Sequence, residues 1–321
     1  MSRPVVNASV AVLFNAPGGA DNSPEEWRAA LARLDPGLDF RVWPDTGPVA
    51  EIEFALVWRP KAGDLRRYPN LKAIFNLGAG VDALLKDASL PTAVPIVRLV
   101  DRGLTIGMTE YVLLHVLRYH RGLPELEAQQ RRREWAPQPY PLPWRRRVGI
   151  LGLGVLGGDA AATLAGLGFD VAGWSRTPKA LPGVTDFLGP AGLIPFLERS
   201  EILVCLLPLT AATAGILDAR AFAALPRGAA VINAARGGHV VEADLLAALD
   251  SGQIAHATLD VFAAEPPPFD HPFWTHPRVT MTPHIASLTV PETAAEGIVE
   301  GMRRARAGEA LRHVVDLAQG Y

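Results

Sequence analysis

The stretch from residue 148 to residue 167 constrains the fold more than any other part of this chain. Residues 148–151 form an apolar run typical of a buried strand, residues 152–157 read GLGVLG, and the alanine-rich residues 159–167 predict a helix. In this setting the first glycine permits a tight turn, the second lets backbone amides approach a ligand, and the third lets the helix pack against the strand. A purely structural turn is the alternative, but the position between strand and helix favours a diphosphate bound at the helix N-terminus.

Five more short apolar runs follow this segment, separated mostly by sequences that can form helices. They cover residues 171–174, 202–207, 229–233, 257–260 and 279–282. Six strands that alternate with helices are typical of a complete dinucleotide-binding sheet. We therefore expect a dinucleotide cofactor to bind at the glycine turn, through Gly152, Gly154, Val155, Leu156 and Gly157.

The first half of the chain predicts a second α/β domain. Apolar runs at residues 10–14, 54–58, 73–77 and 96–99 predict strands, and Ser23 before Pro24 predicts the start of a helix. A long helix is expected from Thr109 to about Gln130, and another helix over residues 291–317. The 321 residues suit two domains of about 150 residues each. We predict one domain from residues 1–112 plus 288–321, and another from residues 113–287.

The composition excludes several classes of partner. The 31 Lys and Arg residues balance 33 Asp and Glu residues, which leaves a net charge of −2 and no general attraction to nucleic acid or to an anionic membrane. No apolar run approaches the length of a membrane-spanning helix. The single cysteine, Cys205, lies in an apolar run and is expected to be a buried, inert thiol. We expect a soluble, cytoplasmic protein that acts on a small molecule.

The end of the second predicted strand of the cofactor domain distinguishes between two cofactors. Proteins that bind NAD usually carry an acidic residue there for the ribose hydroxyls, whereas this chain has Ser175, Arg176 and Thr177, with Lys179 nearby. A carboxylate would repel a 2′-phosphate, but a guanidinium flanked by hydroxyls can bind it. The sequence favours NADPH over NADH, although Arg176 stacked on the adenine or simply solvated is the alternative interpretation.

Three segments place unusual polar residues just beyond predicted strand ends, where ligands bind in an open α/β sheet. They carry Arg236 before two glycines, Glu265 before three prolines, and His284 after a proline. Reduction of a 2-oxo acid needs a cation to hold the carboxylate and an acid to protonate the carbonyl oxygen as hydride reaches the carbon. Each residue alone has an ordinary structural interpretation, but together they predict an oxidoreductase.

Together with the glycine motif, these segments resemble the D-isomer-specific 2-hydroxyacid dehydrogenase family over most of the chain. Residues 56–60 (LVWRP), 76–82 (NLGAGVD) and 97–101 (VRLVD) are most similar to its glyoxylate/hydroxypyruvate reductase branch, whose preference for NADPH agrees with the Ser175-Arg176 pattern. The resemblance implies a flavodoxin-like substrate-binding domain and an NAD(P)-binding Rossmann domain, with the active site in the cleft between them.

The resemblance also implies roles for individual residues. Arg236 would bind the substrate carboxylate and polarise the carbonyl, His284 would donate the proton in reduction, and Glu265 would hydrogen-bond to the other ring nitrogen of His284 and favour the imidazolium. The remaining cofactor-binding residues implied are Leu207, Pro208, Ala234, Asp260 and Met108, and the remaining substrate-binding residues are Trp58, Arg59, Leu77, Gly78, Ala79 and Gly80.

Substrate size, metal and assembly complete the expectations. A tryptophan wall at Trp58 favours a short substrate such as glyoxylate or hydroxypyruvate, with packing as the alternative role. The spacing of the other histidines predicts no metal site. The predicted long helix and residues 135–144 match the region through which family members form homodimers.

Three rival functions share this fold. The chain could act on another 2-oxo acid, it could use another hydride donor such as formate or phosphite, or it could be a dinucleotide-sensing binding protein. Retention of Arg236, Glu265 and His284 argues against the binding protein.

Overall fold

The computed structural model describes residues 10–16 and 23–321, and these form two compact units. The first unit contains the described residues up to Leu104 together with Leu288–Tyr321, and the second contains Thr105–Ser287. Residues 105–112, which the sequence analysis placed in the first domain, fall in the second unit by this division. Within the described residues, no helix combines the length and the apolar character needed to cross a membrane.

The first unit is a parallel sheet with helices. Its strands are β1 (Val10–Asn15), β2 (Leu38–Val42), β3 (Ile52–Val57), β4 (Ala73–Asn76) and β5 (Ile96–Arg98), and its helices are α1 (Pro24–Leu34), α2 (Asp82–Leu85) and α9 (Pro291–Ala307). The strand order is β2-β1-β3-β4-β5, which is the flavodoxin-like order. The Ser23 hydroxyl accepts the amide of Glu26 and caps α1, as the sequence predicts.

The second unit is a doubly wound parallel sheet of the Rossmann type. Its strands are β6 (Arg147–Leu151), β7 (Asp170–Ser175), β8 (Val184–Leu188), β9 (Ile202–Cys205), β10 (Ala229–Asn233), β11 (Ile254–Leu259) and β12 (Val279–Met281). The order is β12-β11-β10-β9-β6-β7-β8, so the direction of winding reverses between β6 and β9. In such sheets ligands bind beyond the carboxyl ends of the strands at this point.

Six helices accompany this sheet among the described residues. They are α3 (Arg102–His120), which begins in the first unit, α4 (Leu123–Arg132), α5 (Val155–Gly166), α6 (Gly189–Arg199), α7 (Ala219–Ala224) and α8 (Glu242–Asp250). Cys205 lies in the core of the second unit with 0% of its surface exposed, and burial raises the pKa of its thiol to about 12. The prediction of a buried thiol is therefore confirmed.

Two strands were missed by the sequence analysis, for the same physical reason. The cofactor domain was predicted with six strands and has seven, because β8 (VTDFL) lies at the sheet edge with partly exposed side chains. The other missed strand, β2 (LDFRV), is also an edge strand and every residue in it is half-buried. Strands with one partner and polar side chains lack the continuous apolar run that marks the central strands.

Two predicted helices were also too long. The helix expected from Thr109 to Gln130 is two helices, since α3 ends at His120 and Gly122 adopts the left-handed conformation, with φ +64°, before α4 begins. The helix expected over residues 291–317 ends at Ala307, where Gly308 closes it with φ +71°. In both cases a glycine in a conformation that favours glycine ends the helical segment.

Candidate active site

The glycine turn between β6 and α5 has the geometry that its sequence predicts. Gly152 has φ +96°, and a Cβ atom there would lie 2.9 Å from the carbonyl oxygen of Leu206. A Cβ atom at Gly157 would lie 1.9 Å from the carbonyl oxygen of Gly152, so only glycine lets the helix pack this closely. No heavy atom of the described chain would lie within 4 Å of a Cβ atom at Gly154, which leaves its backbone open to a ligand.

The N-terminus of α5 follows this open turn. The helix begins at Val155, which is 43% exposed, and its N-cap residue, Gly154, has no side chain to accept the first amides. The first amides of a helix carry partial positive charge and are suited to bind phosphate oxygens. The turn and the helix N-terminus therefore have the geometry that suits the diphosphate of a dinucleotide.

The side chains that follow β7 are arranged around a tight turn. Ser175 is buried and its hydroxyl donates to the carbonyl oxygen of Thr177 at 2.7 Å, while Arg176 and Thr177 are exposed. The ammonium of Lys179 donates to the hydroxyl of Thr177 at 3.2 Å. A guanidinium, an ammonium and a hydroxyl thus lie on one exposed turn, and a phosphate group could bind all three.

Asp186 on β8 is a residue that the sequence analysis missed. One of its carboxylate oxygens accepts the backbone amides of Lys179 and Ala180, at 3.1 and 3.0 Å. The carboxylate therefore fixes the main chain of the basic turn from the neighbouring strand. Asp186 could not be identified from the sequence, because it lies on the edge strand β8, which has no continuous apolar run.

The loop after β10 holds the backbone of Arg236 in place. The amide of the Asn233 side chain donates to the carbonyl oxygen of Arg236 at 3.0 Å, and its oxygen accepts the amide of Ala235 at 3.2 Å. His239, which is fully buried, has its Nδ1 3.1 Å from the Arg236 carbonyl oxygen and its Nε2 3.3 Å from that of Pro208. The sequence analysis gave His239 no role, but it joins the Arg236 loop to the loop after β9.

A glycine brings the Arg236 loop against the next loop of the site. A Cβ atom at Gly237 would lie 1.9 Å from the carbonyl carbon of Phe262, which follows β11. The guanidinium of Arg236 donates to the carbonyl oxygen of Ala235 at 2.6 Å. The close approach at Gly237 therefore brings the main chains of the loops that carry Arg236 and Glu265 into contact.

Asp260, at the end of β11, anchors the loop that carries His284. Its Oδ1 accepts the hydroxyl of Thr282 at 2.5 Å and the amide of Ile285 at 2.8 Å, and its Oδ2 accepts the amide of Ala286 at 2.9 Å. Its backbone carbonyl accepts the amide of His284 at 2.9 Å. The side chain is 1% exposed, so these bonds form away from water, where they contribute most.

His284 and Glu265 form the pair that the sequence analysis predicts. Nδ1 of His284 lies 2.8 Å from Oε2 of Glu265, whose other oxygen accepts the amide of Phe262 at 3.2 Å. The amide of the next residue, Ala263, donates to Glu242 on α8 at 3.2 Å, which fixes the same loop from a second side. His284 has φ +56°, a conformation that residues other than glycine rarely adopt and that is enriched at functional sites.

The geometry of this pair defines what the histidine can do. A carboxylate accepts hydrogen bonds and does not donate them, so the imidazole presents a proton at Nδ1 to Glu265. Nε2 is then the ring nitrogen left available to a ligand, and the side chain is 30% exposed. The arrangement is therefore suited to proton transfer at Nε2, with the ring held in one orientation.

The other predicted cofactor residues lie around the same strand ends. Met108 on α3 and Ala234 after β10 are buried in one cluster with Ala286 of the His284 loop. Leu207 is buried after β9, and the carbonyl oxygen of Pro208 accepts the hydroxyl of Thr213 at 2.6 Å. Among the described residues, no group of three or more His, Cys, Asp or Glu side chains is arranged to hold a metal ion.

The predicted substrate-binding residues of the first unit lie on two of its loops. Asn76, which is 3% exposed, donates to the carbonyl oxygens of Gly78 at 2.8 Å and Gly80 at 3.2 Å. A Cβ atom at Gly78 would lie 2.3 Å from the ring of Trp58, so the indole packs directly on this loop. The guanidinium of Arg59, whose φ is +48°, lies 5.4 Å from the centre of that ring.

Leu77, the first residue of this loop, already uses its backbone groups in hydrogen bonds within the first unit. The amide of Leu77 donates to the carbonyl oxygen of Val57 at 2.9 Å, and the carbonyl oxygen of Leu77 accepts the hydroxyl of Thr289 at 2.7 Å. The Leu77 amide is therefore used within the sheet. A carboxylate that binds to this loop would take its hydrogen bonds from the amides after Leu77, at residues 78–80.

Comparison with known proteins agrees with this geometry. The sequence profile of the D-isomer specific 2-hydroxyacid dehydrogenase NAD-binding domain matches residues 113–286. A glyoxylate/hydroxypyruvate reductase A from Yersinia enterocolitica is 45% identical over 302 residues, which cover 92% of this chain and 96% of that protein. The protein of the same name from Serratia proteamaculans is 46% identical over 302 residues, with the same coverage.

Solved structures give the same result. The D-isomer specific 2-hydroxyacid dehydrogenase from Xanthobacter autotrophicus, in complex with NADPH and MES, matches with a TM-score of 0.93 and 48% identity, over 98% of this chain and 100% of that one. The NADPH-dependent glyoxylate/hydroxypyruvate reductase from Sinorhizobium meliloti, in complex with NADP and sulfate, matches with a TM-score of 0.89 and 40% identity, over 97% and 99% of the two chains.

The packing of Gly157 generates a prediction about the glycine turn. Gly157→Ala should reduce stability by about 1–3 kcal/mol, because its Cβ atom would meet backbone that cannot move without reshaping the turn. It should also weaken dinucleotide binding at least about tenfold, which corresponds to roughly 1.4 kcal/mol. Denaturant unfolding and fluorescence titration with NADPH measure the two effects.

Gly166→Ala is the matched control, in the last turn of the same helix. Apart from its chain neighbours and the backbone of its own helix, no described heavy atom would lie within 4 Å of its Cβ atom, so this variant should be as stable as the parent chain or up to about 1 kcal/mol more stable. Equal stability and equal NADPH affinity of the two variants would contradict the assigned role of Gly157.

Proposed function

This chain belongs to the D-isomer-specific 2-hydroxyacid dehydrogenase family, and from that premise we propose that it reduces glyoxylate, hydroxypyruvate or both with NADPH. The products are glycolate and D-glycerate. The observation that carries the proposal is the pairing of His284 with Glu265 at 2.8 Å, on loops beyond the strand ends of a dinucleotide-binding sheet. The relatives at 45% and 46% identity are named glyoxylate/hydroxypyruvate reductase A, and the solved structures at 48% and 40% identity contain NADPH and NADP.

The reaction needs three functions from the protein. NADPH, when bound, supplies the hydride to the carbonyl carbon. Arg236 binds the substrate carboxylate and draws electron density from the carbonyl, which favours attack at the carbon. His284 donates a proton from Nε2 to the carbonyl oxygen, while Glu265 at Nδ1 holds the ring in one orientation. In the reverse direction His284 takes the proton back.

Substrate selection is assigned to the loops of the first unit. We assign the backbone amides of residues 78–80 to the substrate carboxylate, together with Arg236. Trp58, packed on Gly78, limits the length of the substrate, and Arg59 binds a terminal polar group such as the hydroxyl of hydroxypyruvate. A short, polar 2-oxo acid fits these assignments better than a bulky aromatic one.

Cofactor selection is assigned to the basic turn after β7. Arg176 forms paired hydrogen bonds with the 2′-phosphate of NADPH, and Thr177 and Lys179 bind the same group. Asp260 and Met108 contact the nicotinamide side, and Leu207, Pro208 and Ala234 line the cofactor. Because NADH lacks the 2′-phosphate, the basic turn adds nothing to the affinity for NADH.

The assembly is assigned to apolar residues of the second unit. Leu114 on α3 is 62% exposed. Trp135 and Trp144, in the segment after α4, are 98% and 63% exposed. Large apolar side chains exposed in one region of a chain are typical of an interface between subunits. We assign this region to a homodimer, and we place the enzyme in the cytoplasm, in agreement with its single buried thiol.

Initial rates on a panel of 2-oxo acids test the proposed function. NADPH consumption should be fast with glyoxylate and hydroxypyruvate, slower with pyruvate and slowest with aromatic 2-oxo acids, and each rate should fall with NADH. Preference for an aromatic acid would contradict the assignment of Trp58. Tight NADPH binding with no turnover on any acid would indicate a dinucleotide-sensing protein instead.

The acid role of His284 generates a prediction about turnover. His284→Ala should reduce kcat about 10²- to 10⁴-fold, the range that a positioned general acid contributes. The Kd of NADPH should change less than about threefold, because the predicted role of His284 is in chemistry and not in cofactor affinity. Stopped-flow rates and a binding titration measure the two quantities, and unchanged turnover would refute the role.

The role of Arg176 generates a prediction about cofactor preference. Arg176→Ala should lower kcat/KM for NADPH about 10- to 100-fold, because it removes hydrogen bonds to a charged group, and should leave kcat/KM for NADH nearly unchanged. Arg220→Ala, at an exposed arginine of α7, is the matched control and should change neither value. An equal loss with both cofactors would mean that Arg176 acts on the fold or on the adenine.

A further inference from the structure

Two hydroxyl groups outside the assigned site connect α3 to the His284 loop. The hydroxyl of Tyr111 lies 2.7 Å from that of Thr282, and the hydroxyl of Thr282 donates to Oδ1 of Asp260 at 2.5 Å. Tyr111 is 8% exposed, so water competes little for its hydroxyl. The two bonds form a continuous chain from the helix to the carboxylate that anchors the loop.

The direction of each hydrogen bond follows from counting protons. A carboxylate only accepts, and Thr282 has a single hydroxyl proton, which it gives to Asp260. Thr282 must therefore accept the proton of Tyr111. Burial raises the pKa of the Tyr111 phenol, which keeps that proton in place at neutral pH. The chain has one orientation, from Tyr111 to Thr282 to Asp260.

The end of this chain is the backbone that holds His284. The Asp260 carboxylate accepts the amides of Ile285 and Ala286. The backbone carbonyl oxygen of Asp260 accepts the amide of His284. His284 has φ +56°, which costs energy and persists only where the surroundings impose it. A carboxylate that loses the Thr282 hydroxyl can shift, and the strained loop can then relax.

We propose that Tyr111 and Thr282 are positioning residues, a hydroxyl relay that fixes the Asp260 carboxylate and through it the orientation of His284 for proton transfer. The inference rests on the proposed function, since it assigns His284 the proton. Neither hydroxyl is assigned to the substrate or to the cofactor. Asp260, through which they act, is assigned only to the nicotinamide end of the cofactor, so their effect is expected mainly in kcat, with little change in the affinity for NADPH.

A second tyrosine–threonine pair on α3 provides a matched control. The hydroxyl of Tyr119 lies 2.5 Å from that of Thr258, which in turn lies 3.3 Å from Nδ1 of His115. Burial raises the pKa of Tyr119 to about 12, so it too remains a phenol at neutral pH. Tyr119→Phe removes the same group from the same helix, where its partner threonine leads to a histidine and not to the Asp260 carboxylate.

The test compares five variants by kcat for 2-oxo acid reduction, the Kd of NADPH and thermal unfolding. Thr282→Val should lower kcat about tenfold or more, and Tyr111→Phe by a smaller factor, since it leaves the bond from Thr282 to Asp260 in place. The double variant should be no slower than Thr282→Val, because the two hydroxyls act through one bond. Thr282→Ser should restore kcat to within about threefold, and the Kd of NADPH should change less than about threefold throughout.

The control separates positioning from stability. Tyr119→Phe should lower the Tm about as much as Tyr111→Phe does and keep the parent kcat. Equal losses of kcat in these two variants would overturn the relay, as would multiplicative losses in the double variant or a loss confined to the Kd of NADPH. If Thr282→Val fails to fold, Tyr111→Phe decides the comparison, because it removes one oxygen atom only.

A readout that does not depend on turnover keeps the relay distinct from the proposed function. In protein labelled with ¹⁵N at histidine, the ring signals of His284 are those absent from His284→Gln. They should shift or broaden in Tyr111→Phe and stay unchanged in Tyr119→Phe. Signals unchanged in both would overturn the relay, whereas a parent chain that reduces no 2-oxo acid but shows the expected shifts would overturn the proposed function alone.

Discussion

The carboxylate of Asp260 is the group on which the arrangement of the His284 loop depends. It is almost fully buried, and it accepts one hydroxyl and two backbone amides of the segment that follows β12. The backbone carbonyl oxygen of Asp260 accepts the amide of His284. A buried charge is tolerated only where hydrogen bonds replace water, and here those bonds come from the loop that carries His284. The requirement to satisfy Asp260 and the requirement to orient His284 are therefore met by the same contacts.

The parallel sheet explains why such distant residues act together. Arg236, Glu265 and His284 are far apart in the sequence, but each follows the carboxyl end of one of three adjacent strands, β10, β11 and β12. The close approach at Gly237 and the bond between Glu265 and His284 then join these loops. Rigid strands position the loops, and hydrogen bonds among the loops orient the side chains.

Much of this was accessible from the sequence, because the strongest signals are local. The central strands are continuous apolar runs, and the glycine turn needs specific residues at fixed spacing, so both were predicted, as was the Glu265–His284 pair. The edge strands β2 and β8 and the break at Gly122 were missed, since partly exposed strands resemble loops and a single glycine does not mark a helix end. The contacts of Asp186, His239 and Glu242 were also missed, because each depends on a backbone group in another loop and leaves no pattern along the chain.

The central claim is that the bound nicotinamide passes a hydride to the carbonyl carbon of a small 2-oxo acid. The most direct measurement uses NADPH that carries deuterium at C4 in either stereochemical position, with hydroxypyruvate or glyoxylate as substrate, and locates the label in the product by mass spectrometry and NMR. One deuterium is expected at C2 of the 2-hydroxy acid from one of the two labelled cofactors, and none from the other. Consumption of NADPH with no label in the product from either cofactor would contradict it.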